Sequence, residues 1–200
     1  MGNDSSTGGT LSSVPPFPLD DDALDAVFQQ LIVAITELDG SLVRPRWQPT
    51  VPTRPEPSVN WCAIGVLSST ADDGPFITYD PATDSGPYSR HETLDVLASF
   101  YGPFSKTNAA LLRDGIAVPQ NTEFLNQFAM RYVSCGSIRN LPEFVNQQWN
   151  RRQDISITFR RKIDRTYAIK NLVSGVVHLF DDTGAVDRTI IVPPGATVEQ

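Results

Sequence analysis

Apolar residues recur along this chain in two rhythms, one of helix period and one of strand period. Leu24, Val27, Phe28, Leu31, Ile35 and Leu38 follow one another at spacings of three and four, with one adjacent pair. That spacing puts them on one face of a helix and predicts an amphipathic segment. Asp20, Asp21 and Asp22 precede it and offer cap oxygens and negative charge at its N-terminus, while Gly40 is a natural stop. The clearest strand runs from Asp154 to Ile163, where Ile155, Ile157, Phe159 and Ile163 alternate with Ser156, Thr158, Arg160 and Lys162. Arg161 is the one break in its apolar face.

Other elements follow from shorter signals. Trp61 to Ser69 reads as a buried strand, Asp72-Asp73-Gly74-Pro75 as a turn, Phe76 to Tyr79 as a short strand and Pro81 to Pro87 as a loop. Arg90 to Tyr101 fits both periods; a strand is preferred because turn residues precede it and Gly102-Pro103 ends it. Ser105 or Thr107 is expected to cap a helix over Ala109 to Arg113, ending near Gly115. Pro119 then separates it from a second helix capped by Asn121, with Phe124, Leu125 and Phe128 facing inward. Tyr132 to Ser134 and Leu172 to Phe180 are further strands; Asp181, Asp182 and Gly184 form a turn from which Thr189 to Val192 pairs back. Leu141 to Trp149 carries no clear period. Leu42 to Pro57 holds too many prolines for a helix or a central strand and is expected to be an extended loop. The pattern predicts an α+β fold, a mostly antiparallel sheet packed with two to three helices. One domain is expected over 19–192, with a polar Gly/Ser/Thr/Pro-rich arm at 1–18 and a loose tail at 193–200.

Composition narrows the chemistry. A chain of 200 residues, 40% of them hydrophobic, suits one domain with a usable core. A formal charge of -7 argues against general nucleic-acid binding, which needs Lys and Arg to neutralise phosphates. The polar N-terminus lacks a signal-peptide pattern; Met1, Gly2 and Ser6 fit a myristoylation site only weakly. No apolar run approaches a membrane span, so no membrane partner is expected. Cys62 and Cys135 match no metal spacing and read as reduced thiols, although sequence does not exclude a disulfide between them. The enzyme reading would need Cys62 or Cys135 to pair with His91, or Asp20 to Asp22 to hold a hard cation. Packed thiols, a strand imidazole and a helix cap explain the same residues. No phosphate loop, HExxH or GxSxG motif is present, and no catalytic residue, metal or cofactor is expected.

Charge and aromatic placement are more informative. Eight of the 16 basic residues fall between Arg139 and Lys170: Arg139, Arg151, Arg152, Arg160, Arg161, Lys162, Arg165 and Lys170. Three readings are open: a solvated strand face, a head-to-tail contact between an acidic and a basic region of successive copies, or direct DNA contact. Trp47 and Trp61, with Arg44 and Arg46, either cap the core or anchor an interface.

Several long segments, taken together, resemble the neck-terminator proteins of tailed phages and prophages. They are LVRPRWQP (Leu42–Pro49), NWCAIG (Asn60–Gly65), RHETLDVLASFYGP (Arg90–Pro103), AALLRDGIAVPQN (Ala109–Asn121) and LPEFVNQQWNRRQDISITFRRKIDRTY (Leu141–Tyr167). The resemblance implies a virion protein placed between head connector and tail, assembled in the host cytoplasm. It implies an α+β subunit of a ring, commonly a hexamer, with partners in the head–tail connector and the tail tube and with DNA passing through the lumen. An acidic lumen would let DNA slide, which fits the net charge. Arg44, Arg46, Trp47 and Gln48 look like one recognisable loop of that family, and Trp149, Arg151 and Arg152 belong to a second. With Arg160, Arg161, Lys162 and Arg165 they form the expected subunit interface. The alternatives are an assembly-stage DNA-binding or chaperone module and a Cys-His hydrolase.

Overall fold

A computed structural model describes residues 3–50, 52–80, 85–170, 175–180, 183–184 and 186–192. In chain order its strands and helices are β1 (Ser13–Val14), α1 (Asp21–Thr36), β2 (Val43–Pro45), β3 (Trp61–Ala71), β4 (Phe76–Ile77), β5 (Gly86–Tyr101), α2 (Ser105–Gly115), α3 (Pro119–Thr122), β6 (Met130–Cys135), β7 (Arg139–Asn140), β8 (Glu143–Val145), β9 (Gln148–Asn150), β10 (Arg152–Tyr167), β11 (Gly175–Phe180) and β12 (Val186–Val192). This is the α+β class expected. The chain divides into two compact units: Pro16–Phe76 with Ser89–Arg165, and Met1–Pro15 with Ile77–Tyr88 and Thr166–Gln200.

In the larger unit the sheet order is β10-β5-β3-β2, with β6 and β7 on the far side of β10. β3 and β5 pair antiparallel from Trp61↔Tyr101 to Ala71↔Glu92, and β6 and β7 pair antiparallel with β10. One face is apolar by alternation: Leu94, Val96, Ala98 and Phe100 on β5, and Ile155, Ile157 and Phe159 on β10, are all buried. Helix α1 lays Leu24, Val27, Phe28, Leu31 and Ile32 into the same core, α2 adds Ala109 and Leu112, and the Phe28 and Phe159 rings meet at 4.8 Å. Removing this much apolar surface from water is the main favourable term in the fold.

Several local expectations are corrected. Helix α1 ends at Thr36, where Glu37 takes the left-handed cap (φ 58°); Gly40 instead opens a short 3₁₀ turn over Gly40–Leu42. Asp20 stands at the N-cap position but makes no cap hydrogen bond there. Its carboxylate accepts from Arg161 at 2.6 Å instead, a stronger charge-assisted partner than a backbone amide. The Leu42–Pro57 stretch is not all loop, since Val43–Pro45 forms β2, parallel to β3 in the register Val43↔Cys62. β2 is the edge strand, where proline is tolerated. Neither Ser105 nor Thr107 caps α2; Asn60 does so from across the chain, its Oδ1 accepting the Phe104 amide at 2.8 Å. Asn121 lies inside α3 and donates to the Gly115 carbonyl at 2.9 Å, and Phe124, Leu125 and Phe128 sit on a 3₁₀ turn.

In the smaller unit, β1 pairs with the end of β10 (Ser13↔Tyr167, Val14↔Thr166), the Ser5 amide donates to the Ala168 carbonyl at 3.0 Å, and Asp4 pairs with Lys170 at 2.9 Å. Tyr88 and Tyr167 meet edge to face at 5.9 Å. β11 and β12 form the expected C-terminal hairpin, from Gly175↔Val192 to Phe180↔Val186. The readings at Met1, Gly2, Asp181, Asp182 and 193–200 lie outside the described residues.

Candidate assembly surface

The segments Leu42–Pro49 and Leu141–Tyr167 come together in the larger unit at Ser99 on β5. Arg46 donates to Ser99 Oγ at 2.6 Å, and Arg152 reaches the same oxygen at 3.5 Å. Arg152 is held from the other side by Asp154, Nε to Oδ1 and Nη2 to Oδ2, both at 2.7 Å. Such a fork fixes a guanidinium in orientation as well as position. Burial pushes the Asp154 carboxyl up, but hydrogen bonds from Arg152 and Ser99 and the guanidinium charges outweigh it and leave it below the usual carboxylate range. The bond to Asp154 also makes Arg152 harder to deprotonate.

Arg152 reaches on to Glu143 at 2.5 Å, and Arg54 holds the other Glu143 oxygen at 2.9 Å. Both guanidiniums lie over the Tyr101 ring, at 5.8 Å and 5.1 Å, and Tyr101 stacks on Trp61 at 4.2 Å. This cation–aromatic layer clamps the first residue of β8. From it β8 and β9 rise as a separate two-stranded hairpin in the register Glu143↔Asn150, Phe144↔Trp149, Val145↔Gln148. Its two-residue turn, Asn146-Gln147, has φ of 51° and 62°. That left-handed geometry is what a tight hairpin needs, but it is normally supplied by Asn-Gly. Phe144 and Trp149 lie on one face with rings 5.1 Å apart, and they are 60% and 70% exposed. Exposed aromatic pairs on a braced element are typical anchors of protein contacts.

The other expected interface residues are distributed differently. Trp47 is exposed, with its ring against Gly65. Arg44 donates to the Ser41 and Thr53 carbonyls, and Gln48 to that of Pro45, so both brace their own loop. Arg151 is exposed and donates to the Pro103 carbonyl at 3.2 Å. Arg160 pairs with Asp72, Lys162 with Asp164, and Arg165 more loosely with Asp20 at 3.8 Å. Arg161 is buried, paired with Glu92 and Asp20 and donating to the Leu19 carbonyl. The basic run is thus largely neutralised within its own chain. Arg54, Ser99, Tyr101, Glu143, Phe144 and Asp154 were not singled out in the sequence. All of them lie within stretches marked in the sequence, but the contacts that join those stretches, Arg54 to Glu143 and Ser99 to Arg46 and Arg152, span 53 to 89 positions and carry no local signal.

The Cys-His reading meets a geometric obstacle. β3 pairs Cys62 with Phe100, which lies nine residues along β5 from His91, about 30 Å at ~3.3 Å per residue. Burial also raises the thiols of Cys62 and Cys135 and disfavours a thiolate at either. Both cysteines are free. Among the described residues no helix is long and apolar enough to cross a membrane.

The chain thus combines a sheet with one helix-covered face and an exposed aromatic hairpin whose base is held by Arg54 and Arg152. A model of the phage neck terminator protein family matches residues 22–182, and the chain belongs to that family. It is a structural protein of the phage neck, found in the virion in contact with other head and tail proteins. No curated protein matches it.

Proposed function

We propose that the protein is the repeating subunit of a closed ring in the phage neck, seated between the head connector and the tail tube. In this reading DNA passes through the ring without sequence-specific contact. Family membership over residues 22–182 supports the neck placement. The observation that carries self-association is the β8–β9 hairpin, because Phe144 and Trp149 stand in solvent on a scaffold of four fixed charges. Holding two large rings in water on a rigid support has a cost that a protein contact removes. Of the expected interface residues, Trp47, Trp149, Arg151, Arg160 and Lys162 are exposed, and Arg160 and Lys162 are already paired with Asp72 and Asp164.

Light scattering of the purified protein over a concentration series tests this. A discrete oligomer of fixed mass is expected. A monomer at every concentration would count against self-association.

A further inference from the structure

Two surfaces of the larger unit are incomplete as they stand, and they lie at opposite ends of its sheet. At one end is the β8–β9 hairpin. A lone two-stranded hairpin is marginal in water, and this one carries two non-glycine residues in left-handed backbone. The Glu143 clamp nevertheless holds its base, so the rings are presented with little left to order on binding. Beside Trp149 stands Arg151, exposed, its guanidinium donating to the Pro103 carbonyl and in no ion pair among the described residues.

At the other end is a cleft of about 560 Å³ between the first turn of α1 and strands β3, β5 and β10. Its floor is apolar, with Leu24, Leu94 and Ile163 buried, and Trp47 stands 58% exposed at its lip. Asp20 and Glu92 in its wall are balanced by Arg161, which pairs with both, and by Arg165, 3.8 Å from Asp20. Asp21, Asp22 and Asp25 on its rim are in no ion pair among the described residues, so an apolar seat is edged by unbalanced negative charge.

From Arg152, beside the hairpin, to Ile163, in the cleft, β10 runs eleven residues, roughly 35 Å at ~3.3 Å per residue. No residue of the hairpin lines the cleft of its own chain. We propose that the Phe144–Trp149 hairpin of one copy seats in the acid-rimmed cleft of a second copy, with Arg151 against Asp21 and Asp22. The contact joins two different surfaces, so it repeats head to tail and closes into a ring when the rotation between copies allows. It rests on the self-association proposed above and names the surfaces that carry it.

The test is light scattering on the full chain as wild type, Trp149→Ala, Arg151→Glu, Asp22→Arg and the Arg151→Glu/Asp22→Arg pair. All three side chains are exposed, and circular dichroism checks that each variant is folded. Each single change is expected to raise the concentration needed for assembly by roughly tenfold or more. The double change is expected to recover most of that loss, because the reversed charges face each other again. Trp149→Ala assembling like wild type overturns the proposal while leaving self-association standing. Single changes that weaken assembly with no recovery in the pair put the hairpin against some other surface and overturn the cleft as its seat. A wild type that stays monomeric at every concentration overturns both.

Discussion

Arg161 stands in the apolar row of β10, between Phe159 and Ile163, where a hydrophobic residue fits the alternation. It keeps its charge there because Glu92 on β5 and Asp20 before α1 both accept from it. A buried charge without partners is costly, so the pieces of this network depend on one another. Arg161→Met leaves the Glu92 carboxylate buried without its counter-charge, with the Ser69 hydroxyl still donating to it, and is expected to cost about 3–5 kcal/mol in urea unfolding. Adding Glu92→Leu should return a large part of that loss, because an apolar pair of similar volume suits the site. Gly102 is a second sensitive position. It holds φ at +96°, and a Cβ would run into the Val59 carbonyl and the Asn60 side chain that caps α2. Gly102→Ala is expected to destabilise by about 1–3 kcal/mol, read from the same unfolding curves. The sequence marked both residues, one as a break in an apolar row and one as a strand stop. It could not show their partners, because Glu92 lies 69 positions from Arg161 and Asn60 lies 44 from Phe104.

At the scale of elements, long strands were legible and short ones were not. β10 buries alternate residues over many positions, so its period speaks clearly, whereas β5 fits both periods and reads as a strand from the turn residues that bound it. β8 and β9 have three residues each, and their turn lacks the glycine that marks a hairpin. That is why the segment carrying the exposed aromatic pair had no assignable period. The same missing glycine makes a prediction. Gln147→Gly relieves the left-handed strain and is expected to stabilise the hairpin by about 0.5–1 kcal/mol, seen as slower amide exchange across β8 and β9. The clamp below it responds to pH. The Asp154 carboxyl is held below its ordinary value, so its folded pKa lies under the unfolded one of about 3.9. Its contribution is fully present above the unfolded value and is lost as pH falls through the folded one. Stability should therefore drop on acidification below about pH 4, and Asp154→Asn should lose that part of the slope.

For the whole molecule the question is where its charge points. The sequence places eight cations in one stretch, which invites a DNA-binding reading in spite of the net charge of -7. Folding removes most of that invitation. Arg152 meets Asp154 and Glu143, Arg160 meets Asp72, Arg161 meets Glu92 and Asp20, Lys162 meets Asp164, and Lys170 meets Asp4. A cation already paired with a carboxylate releases little counterion when it meets a phosphate, so it adds little to DNA affinity. The surplus carboxylates then dominate the field and repel the duplex. The protein is expected to give no shift of duplex DNA in a gel at about 0.15 M salt, where non-specific binders hold DNA with Kd of roughly 10⁻⁴–10⁻⁶ M. Asp72→Asn releases Arg160 and removes one negative charge, and weak salt-sensitive binding should begin to emerge as such changes accumulate. Tight binding by the wild type would instead favour an assembly-stage DNA-binding role. The ring proposed above would need the opposite property, a surface that guides the duplex without holding it, and the internal pairing of the basic run would supply the physical basis for that.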